Sequence, residues 1–227
     1  MAETGSTNDD LMAAAHDGAP HRSVIVADFQ TAGKGRLDRS WEAAAGTNLL
    51  VSLLFRYDRE DVFRFARVVA LASRAACRAV SGVAPHLKWP NDLVIGDLKL
   101  GGLLAVGAPG ERFVVVGIGV NVSWAPEGAV CLRNAATTHI DFSPLVLLQH
   151  MLGEIDQRLA ASDDDLHAEH RSALSTIGRR VRVELRAGEQ LIGTAVDVDG
   201  ASRLVVQDDA GVVHVIDVGD VIHLRAQ

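Results

Sequence analysis

Cysteine and aromatic residues are scarce in this chain of 227 residues. The two cysteines, Cys77 and Cys131, lie in no CxxC pair, and one pair of cysteines cannot supply the framework of a metal site. We therefore expect the reducing cytoplasm as the compartment. Aromatic side chains make up 4% of the sequence, which leaves few platforms for stacked bases and disfavours an RNA-binding module.

Long apolar runs are also missing. No run approaches the roughly 18 residues of a membrane span, and the N-terminal residues lack the basic-then-apolar pattern of a secretory signal. The net charge is −7, so no general basic field attracts nucleic acid. The composition thus predicts neither a membrane partner nor a DNA partner.

A local concentration of cations lies against this acidic background at residues 33–41, GKGRLDRSW. Lys34, Arg36 and Arg39 are close together, and Trp41 closes the run. Glycine lets backbone N–H groups approach an anion closely, and arginine adds a planar fork that matches phosphate or carboxylate oxygens. The pattern predicts a mobile loop that closes over a small anionic ligand. The alternative is a basic surface turn with the indole buried behind it.

Hydrophobic periodicity predicts strands and helices in alternation, and a hydrophobic fraction of 48% supports a sizeable core. The predicted strands are 24–29, 48–55, 99–106 and 112–122, with a turn at 108–110, and the predicted helices are 9–15, 61–80, 144–161 and 163–176. Asp61 suits a helix start, and Ser143 is a predicted N-cap with Pro144 in the first turn. After Gly178, five short strands predict a small barrel. These strands are 181–185, 191–198, 204–207, 212–218 and 221–224.

Two polar segments flank the first predicted strand. Ser6, Thr7 and Asn8 follow Gly5, and their hydroxyls and amide suit a neutral polar ligand. A helix N-cap is the alternative, and both interpretations can hold. Gln30 ends a strand just before the glycine-rich loop, so we expect its amide to face a pocket beneath that loop.

Residues 88–92, Lys-Trp-Pro-Asn-Asp, form a predicted turn between two short strands. The turn brings an ammonium, an amide and a carboxylate together at Lys88, Asn91 and Asp92. A carboxylate in this position can bind Mg²⁺, orient an amine or accept its proton. Taken alone, the segment favours the alternative, an Asx-turn with Trp89 in the core.

Two further strands carry glycines. In residues 99–104, KLGGLL, a lysine precedes two glycines, so the ammonium can reach an anion while the backbone passes close to a ligand. The alternative is a surface lysine before a β-bulge. Residues 117–122, GIGVNV, lie within a strand rather than opening a helix, which disfavours a dinucleotide fold. We expect these glycines to admit a ligand against the sheet, beside Asn121.

Other common motifs are missing from the sequence. No GK[ST] follows the glycines of the basic loop, so the loop is not a P-loop, and no Gly-x-Ser-x-Gly elbow occurs. His167 and His170 are spaced i, i+3 without an HExxH motif. We interpret this pair as part of a solvated helix face.

In their order along nearly the whole chain, these five segments resemble the biotin protein ligases. The resemblance implies an α/β (α+β) fold with a mixed sheet flanked by helices. It places a class II synthetase-like catalytic domain at 1–176 and an SH3-like β-barrel at 177–227. It also implies a two-step reaction. Biotin and MgATP first give biotinyl-5′-AMP and pyrophosphate, and a lysine of a biotin carboxyl carrier protein then attacks the mixed anhydride.

The resemblance also implies the roles of the site residues. Catalysis is assigned to Lys99, the first choice for the essential residue, with Arg36 and Asp92, and Asp92 is also the implied Mg²⁺ ligand. Biotin is assigned to Ser6, Thr7, Asn8, Gln30, Gly33, Lys34, Gly35, Arg36, Lys99, Gly102, Leu104, Gly117 and Gly119. ATP is assigned to Arg36, Arg39, Trp41, Lys88, Asn91 and Asn121.

The chain departs from the family pattern at several positions. Lys34 stands where the family usually has arginine, and Val106 stands where many members have glutamate. Trp124 lies too close to the GIGVN segment to be the usual tryptophan that covers adenine. The chain reaches Ser6 at once, so we expect no N-terminal DNA-binding domain.

Two alternative functions stay open at this point. A lipoate-type acyl ligase would use the same adenylation chemistry, although the glycine- and arginine-rich loop favours biotin. A non-catalytic biotin- or nucleotide-binding protein would bind the ligands without releasing pyrophosphate. The sequence also leaves open whether the protein is a homodimer.

Overall fold

A computed structural model describes residues 1–58, 62–107, 110–138, 143–185, 189–217 and 219–224. The helices are α1 (Thr7–His16), α2 (Val62–Ser81), α3 (Leu132–Ala135), α4 (Pro144–Leu159) and α5 (Asp163–Ala173). The first eight strands are β1 (Glu3–Thr4), β2 (Val24–Ala27), β3 (Phe29–Gln30), β4 (Leu49–Arg56), β5 (His86–Lys88), β6 (Asp92–Ile95), β7 (Leu98–Val106) and β8 (Phe113–Val120). The last five are β9 (Arg180–Glu184), β10 (Gln190–Val198), β11 (Leu204–Asp208), β12 (Val213–Ile216) and β13 (Asp220–His223). Three predicted features fall on residues outside the described ones: the helix start at Asp61, most of the turn at 108–110, and the end of the strand 212–218.

The largest sheet has six strands in the order β2-β4-β8-β7-β6-β5, and every neighbouring pair in it is antiparallel. A parallel pair forms separately between β1 and β3. The predicted strand 24–29 is therefore two strands, since the residues after Asp28 pair with β1 instead of continuing along β4. The predicted α/β fold with flanking helices is confirmed. The six-stranded sheet itself is antiparallel rather than mixed, because the parallel pair lies in a separate sheet.

Helices cover both faces of this sheet, which explains why strand β4 is apolar on both sides. Leu49, Val51, Leu53 and Phe55 belong to a large core that also contains the apolar residues of α2 and α4. Leu54, which alternates with them, packs with α1 on the opposite face. This opposite face also carries the candidate site, which lies at the N-terminal end of α1.

The helix termini follow the predicted signals in part. Ser143 Oγ accepts a hydrogen bond from Val146 N, and Pro144 begins α4, so the predicted cap is confirmed. Helix α5 ends at Ala173 rather than 176 because Leu174 adopts an extended backbone conformation. Within the described residues, no helix is both long and apolar enough to span a membrane.

The C-terminal residues form a five-stranded antiparallel sheet in the order β12-β11-β10-β9-β13. The predicted five strands are thus present, while closure into a barrel and the division at residue 176 stay predictions. Arg67 and Trp89 each donate a hydrogen bond to the turn between β10 and β11. Arg67 Nη1 donates to Gly200 O at 2.6 Å, and Trp89 Nε1 donates to Ser202 O at 2.8 Å.

The interpretation of the two histidines of α5 as a solvated face is wrong for His170, which is only 7% exposed. It lies near the buried Arg67 of α2, where helix α5 packs against that helix. Burial, followed by the charges of Arg67 and His167, lowers the pKa of His170 from 6.5 to about 4.

Candidate active site

A cleft of about 310 Å³ lies between the α1 face of the six-stranded sheet, the Gly33–Trp41 loop and the edge of the C-terminal sheet. It brings together nearly all of the predicted site residues from five separate segments of the chain. Those that line it are Ser6, Thr7, Asn8, Gln30, Lys34, Gly35, Arg36, Arg39, Trp41, Lys88, Asn91, Asp92, Lys99, Gly102, Leu104, Gly117 and Gly119.

Strand register aligns part of the cleft floor in one row across five strands. Leu50 of β4 lies opposite Gly119 of β8, which lies opposite Gly102 of β7. The row continues to Asp92 of β6 and Lys88 of β5. Because residues opposite each other in a sheet share a face, the two glycines make a bare strip of backbone that leads to the Asp92 carboxylate and the Lys88 ammonium.

Side chains from outside the sheet occupy the space above Gly117 and Gly119 of β8. A methyl group on Gly117 would collide with Asn8 Oδ1, and one on Gly119 would collide with the indole of Trp41. Asn8 belongs to the first turn of α1, and Trp41 ends the basic loop. The glycines therefore allow a helix start and a loop to come within van der Waals contact of the sheet.

A β-bulge directs Lys99 into the cleft. Between β6 and β7, Leu93 lies opposite Gly101 but Val94 lies opposite Lys99, so Leu100 is an extra residue on β7. The extra residue reverses the alternation of side chains beyond it. Leu100 is fully buried in the core, and Lys99 Nζ lies on the cleft side, 2.7 Å from Asp92 Oδ1.

The basic loop folds back on itself as a hairpin. Lys34 pairs with Ser40, Gly35 N donates to Arg39 O at 2.6 Å, and Arg39 N donates to Arg36 O at 3.2 Å. Leu37 at its tip has φ 54°, a left-handed conformation that costs free energy for a branched residue. The loop is therefore ordered in this structure by its own backbone hydrogen bonds.

Cations of this loop contact an acidic residue of the C-terminal sheet. Arg36 Nη1 lies 3.7 Å from Asp220 Oδ1 and 3.4 Å from Asn91 Oδ1, while Arg39 pairs with the other oxygen of Asp220. Burial lowers the pKa of Arg36, against the opposing effects of Asp220 and Asp92. Arginine remains charged in proteins, so the loop presents a partly desolvated guanidinium to the cleft.

Asp220 and Glu184 are functional candidates that the sequence reasoning missed. They are opposite each other on β13 and β9, and both line the cleft. The excess of acidic residues in the C-terminal segment was visible in the sequence. The sequence did not show that these carboxylates face a basic loop far away in the chain, because this contact depends on how the two sheets pack.

The other end of the cleft is polar and buried. Helix α1 begins at Thr7 rather than at residue 9, with Ser6 as N-cap. Ser6 Oγ makes no capping hydrogen bond, so its hydroxyl is not committed to the helix. Thr7 N and Thr7 Oγ1 lie 2.8 and 3.0 Å from Gln30 Oε1, and Asn8 Nδ2 donates to Leu104 O at 3.1 Å.

A buried serine completes this polar end. Ser52 Oγ lies 2.6 Å from Asn8 Oδ1 and 2.8 Å from Thr7 Oγ1, and Ser52 is fully buried. Ser52 was not among the predicted site residues, although a lone serine in the apolar strand Leu-Leu-Val-Ser-Leu-Leu-Phe indicates a buried polar contact. A polar group inside a buried strand requires a hydrogen-bond partner.

Two predicted residues are not among the described residues that line the cleft. Gly33 lies beneath Trp41, whose carbonyl oxygen is 2.6 Å from the position of a Cβ. Asn121 is 2% exposed; its Oδ1 accepts from Asn48 Nδ2 at 3.3 Å, and its Nδ2 donates to Val130 O at 3.2 Å. The Asn121 amide therefore joins two loops in this structure, and its assignment to ATP stays a prediction.

Trp41 places an aromatic ring beside the Lys99 ammonium. Lys99 Nζ lies 5.6 Å from its ring centroid, within cation–π distance. Trp41 Nε1 is buried and has no hydrogen-bond partner among the described residues. A flat ring next to an ammonium and an arginine suits a ligand that combines an aromatic base with an anionic group.

Sequence profiles of two known domains match the chain. The profile described as the biotin/lipoate A/B protein ligase family matches residues 4–123, and the one described as the biotin protein ligase C terminal domain matches residues 176–224. The chain is 37% identical to the biotin–[acetyl-CoA-carboxylase] ligase of Mycobacterium tuberculosis, over 99% of this chain and 88% of that protein. It is 28% identical to the bifunctional ligase/repressor BirA of Bacillus subtilis, over 93% of this chain and 69% of that protein.

Solved structures share the same fold. The biotin protein ligase of Aquifex aeolicus, in complex with biotin and ATP, superposes with a TM-score of 0.84 at 24% identity and covers 100% of this chain and 97% of that one. The Leishmania major ligase with biotinyl-5-AMP has a TM-score of 0.68 at 21% identity and covers 95% and 96%. At these identities the likeness establishes the fold alone. Together with the sequence matches over most of the chain, it leads to one conclusion: the chain belongs to the biotin/lipoate A/B protein ligase family.

Proposed function

We propose that this protein is an ATP-dependent biotin protein ligase. The observation that carries this proposal is the position of Lys99, whose ammonium lines the cleft beside Asp92 and lies 5.6 Å from the ring centroid of Trp41, at the end of the basic loop. In the first step a carboxylate oxygen of biotin bonds to the α-phosphorus of ATP, and the bond to pyrophosphate breaks. In the second step a lysine amine attacks the carbonyl of the mixed anhydride, and AMP leaves.

The first step requires two anions to approach each other. Cations held in place beforehand offset that repulsion and stabilise charge in the transition state. Lys99 and Arg36 meet this requirement because both line the cleft and both are already held by acidic or amide partners. We assign Lys99 to the junction between the biotin carboxylate and the α-phosphate.

We assign the polar end of the cleft to the head group of biotin. A ureido ring is neutral, so hydroxyls and amides suit it better than ion pairs do. Ser6, Thr7, Asn8 and Gln30 supply such groups. We also assign the backbone of Gly33 and Lys34 to this head group, whereas Gly35 N donates to Arg39 O within the loop. We assign the rest of the molecule to the slot lined by Gly102, Gly117 and Gly119, next to Leu104, where Asn8 and Trp41 pack over the last two glycines.

We assign the loop side of the cleft to the nucleotide. Arg36, Arg39 and Lys88 are the cations at this side, with Asn91 between them. Trp41 provides the ring against which the base can lie. The glycine-rich loop also keeps water away from the acyl-adenylate, which hydrolyses when it is exposed.

The residues present fit a magnesium ion that enters with the triphosphate rather than a metal site built by the protein alone. Over the described part of the chain, no group of three or more His, Cys, Asp or Glu side chains could hold a metal ion. Asp92 offers one carboxylate, beside the Lys99 ammonium. One or two carboxylates plus phosphate oxygens are the usual ligands of Mg²⁺, which neutralises phosphate charge when bound.

The proposed protein substrate is a biotin carboxyl carrier protein of a biotin-dependent carboxylase. The name of the Mycobacterium tuberculosis relative, an acetyl-CoA-carboxylase ligase, supports this assignment. Asp92 is the group that we propose orients the incoming lysine amine and accepts its proton. A cytoplasmic location and the lack of DNA or membrane partners stay predictions, and the oligomeric state stays open.

Pyrophosphate release tests the activity. The purified protein, mixed with biotin and MgATP, is expected to release pyrophosphate and to accumulate biotinyl-5′-AMP. A folded protein that releases none would favour the non-catalytic binding protein. Calorimetric titrations with biotin and with lipoate separate the two ligase types, and tight lipoate binding without biotin binding would overturn the assignment to biotin.

A further inference from the structure

The side chain of Asn8 rests on a second row of residues across the sheet. Ser52 of β4 lies opposite Gly117 of β8, which lies opposite Leu104 of β7. Asn8 occupies the space above Gly117 that a methyl group would fill. Its amide contacts Ser52 Oγ on one side and Leu104 O on the other. The helix start is thus joined to three strands through one side chain.

These contacts admit one orientation of the Asn8 amide. Leu104 O can only accept, so the Asn8 atom 3.1 Å from it is the NH₂ nitrogen. The atom facing Ser52 is then the amide oxygen, which also can only accept. Because a hydroxyl has one proton, Ser52 donates it to Asn8 Oδ1, and its contact with Thr7 Oγ1 uses an oxygen lone pair.

The same reasoning fixes Gln30. The backbone N–H of Thr7 lies 2.8 Å from the near atom of the Gln30 amide, which must therefore be the oxygen. The Thr7 hydroxyl has both Gln30 Oε1 and Ser52 Oγ within reach of its own proton. The NH₂ group of Gln30 is consequently the part of the amide that can donate to a ligand in the cleft.

We infer that Ser52 is a positioning residue for the substrate head group, an inference that rests on the proposed function. Ser52 is fully buried, and it acts by holding Asn8 and Thr7 in the orientations just described. Without its hydroxyl, Asn8 Oδ1 is a buried acceptor with no donor, and the amide becomes free to turn. A neutral, hydrogen-bonding head group is the substrate part that depends on these orientations.

The variant Ser52→Ala tests the inference. We expect the Kd for biotin, measured by calorimetry, to rise roughly tenfold, because binding must then fix an Asn8 side chain that the Ser52 hydroxyl otherwise holds in place. At saturating biotin, the kcat for pyrophosphate release stays near that of the unchanged protein, because the hydroxyl touches no reacting atom. Ser52→Cys keeps a weak donor of similar shape and gives an intermediate Kd.

Ser81→Ala is the matched control. Ser81 is also fully buried and donates to Cys77 O at 2.7 Å, but it lies at the end of α2, away from the cleft. Both alanine variants lose some stability in urea, while only Ser52→Ala loses biotin affinity. If Ser52→Ala loses stability and keeps its affinity, or if it loses kcat at saturating biotin with an unchanged Kd, the positioning role is wrong.

A second readout does not depend on biotin. In the ligand-free protein, the side-chain NH₂ group of Asn8 is protected from exchange with solvent while its hydrogen bond to Leu104 O is held. We expect Ser52→Ala to accelerate this exchange, measured by NMR, and Ser81→Ala to leave it unchanged. If the unchanged protein binds no biotin, the proposed function fails. The amide signals of Asn8 then still decide whether Ser52 orients this side chain.

Discussion

Lys99 Nζ lies 2.7 Å from Asp92 Oδ1 across strands β7 and β6, and both groups line the cleft. The ammonium is held in place before any substrate arrives, and its side chain is still 43% exposed. An exposed pair of this kind contributes little to stability. The ion pair instead fixes the position of the ammonium, which lies beside the aromatic ring of Trp41 and near the backbone of Gly102.

Replacing Lys99 therefore affects chemistry more than folding. We expect Lys99→Ala to reduce the rate of pyrophosphate release at least about a hundredfold, the usual cost of losing one preorganised electrostatic contact. Its midpoint of unfolding in urea stays close to that of the unchanged protein. Arg78→Ala, which removes an exposed cation of α2, is the control. Near-normal turnover in Lys99→Ala would refute the role assigned to this lysine.

The bulge at Leu100 makes a separate prediction about stability. Exchanging the two side chains, Lys99→Leu together with Leu100→Lys, places an ammonium at a core position that is 0% exposed. An unpaired buried charge costs about 3–5 kcal/mol, so the free energy of unfolding from urea titration should fall by that amount. Lys99→Leu alone changes it by less than about 1 kcal/mol. Equal stability of the two variants would contradict the bulge.

Arg36 is expected to retain the intermediate. In Arg36→Ala, the loop loses its contact with Asn91 and keeps only the Arg39 contact with Asp220, so biotinyl-5′-AMP escapes into solution faster than from the unchanged protein. Chromatography of the filtrate after ultrafiltration measures the free adenylate. Arg39→Ala should have a weaker effect, because the Arg39 side chain is 67% exposed. A leak from Arg39→Ala as large as that from Arg36→Ala would argue against this assignment.

Contact between Gly119 and Trp41 can be tested by a double-mutant cycle. Gly119→Ala displaces the indole, so the loop can no longer pack against the sheet. We therefore expect the KM for ATP to rise about tenfold or more. In the background of Trp41→Ala, the same substitution should have almost no effect. Gly153→Ala is the control, as a methyl group there meets open space in helix α4. Additive effects of the two substitutions would exclude a direct contact.

The pKa of His170 predicts how stability depends on pH. The value is lowered to about 4 in the folded protein, against 6.5 for an ordinary histidine. Between these two values the unfolded chain binds a proton that the folded chain does not, so stability falls as the pH decreases through this range. From pH 8 to pH 5 this one group should remove about 2 kcal/mol of the free energy of unfolding.

Urea titrations at the two pH values measure this loss. His170→Gln should show a smaller decrease than the unchanged protein, because its side chain does not titrate. His150→Gln, at an exposed position of α4, should behave like the unchanged protein. The same pH slope in all three proteins would show that His170 is not the group responsible.

The sequence by itself determined the elements and the composition of the site. Short apolar runs specified β4, β7 and β8, and the Ser143–Pro144 signal specified the start of α4, because these patterns depend on local sequence and capping. Five short segments also carried most of the residues that line the cleft. Residue type and spacing were enough to identify these residues, since clustered glycine, lysine and arginine suit an anionic ligand.

Tertiary structure alone decided which way several of these residues point. In a regular strand Lys99 would share a face with Gly101 and oppose Gly102, but the extra residue Leu100 reverses it into the cleft. Burial of Ser52 and His170, and the engagement of Asn121 by two loops, likewise depend on contacts between distant segments. Side-chain direction follows from strand register and packing, which are properties of pairs of segments and cannot be obtained from one segment alone.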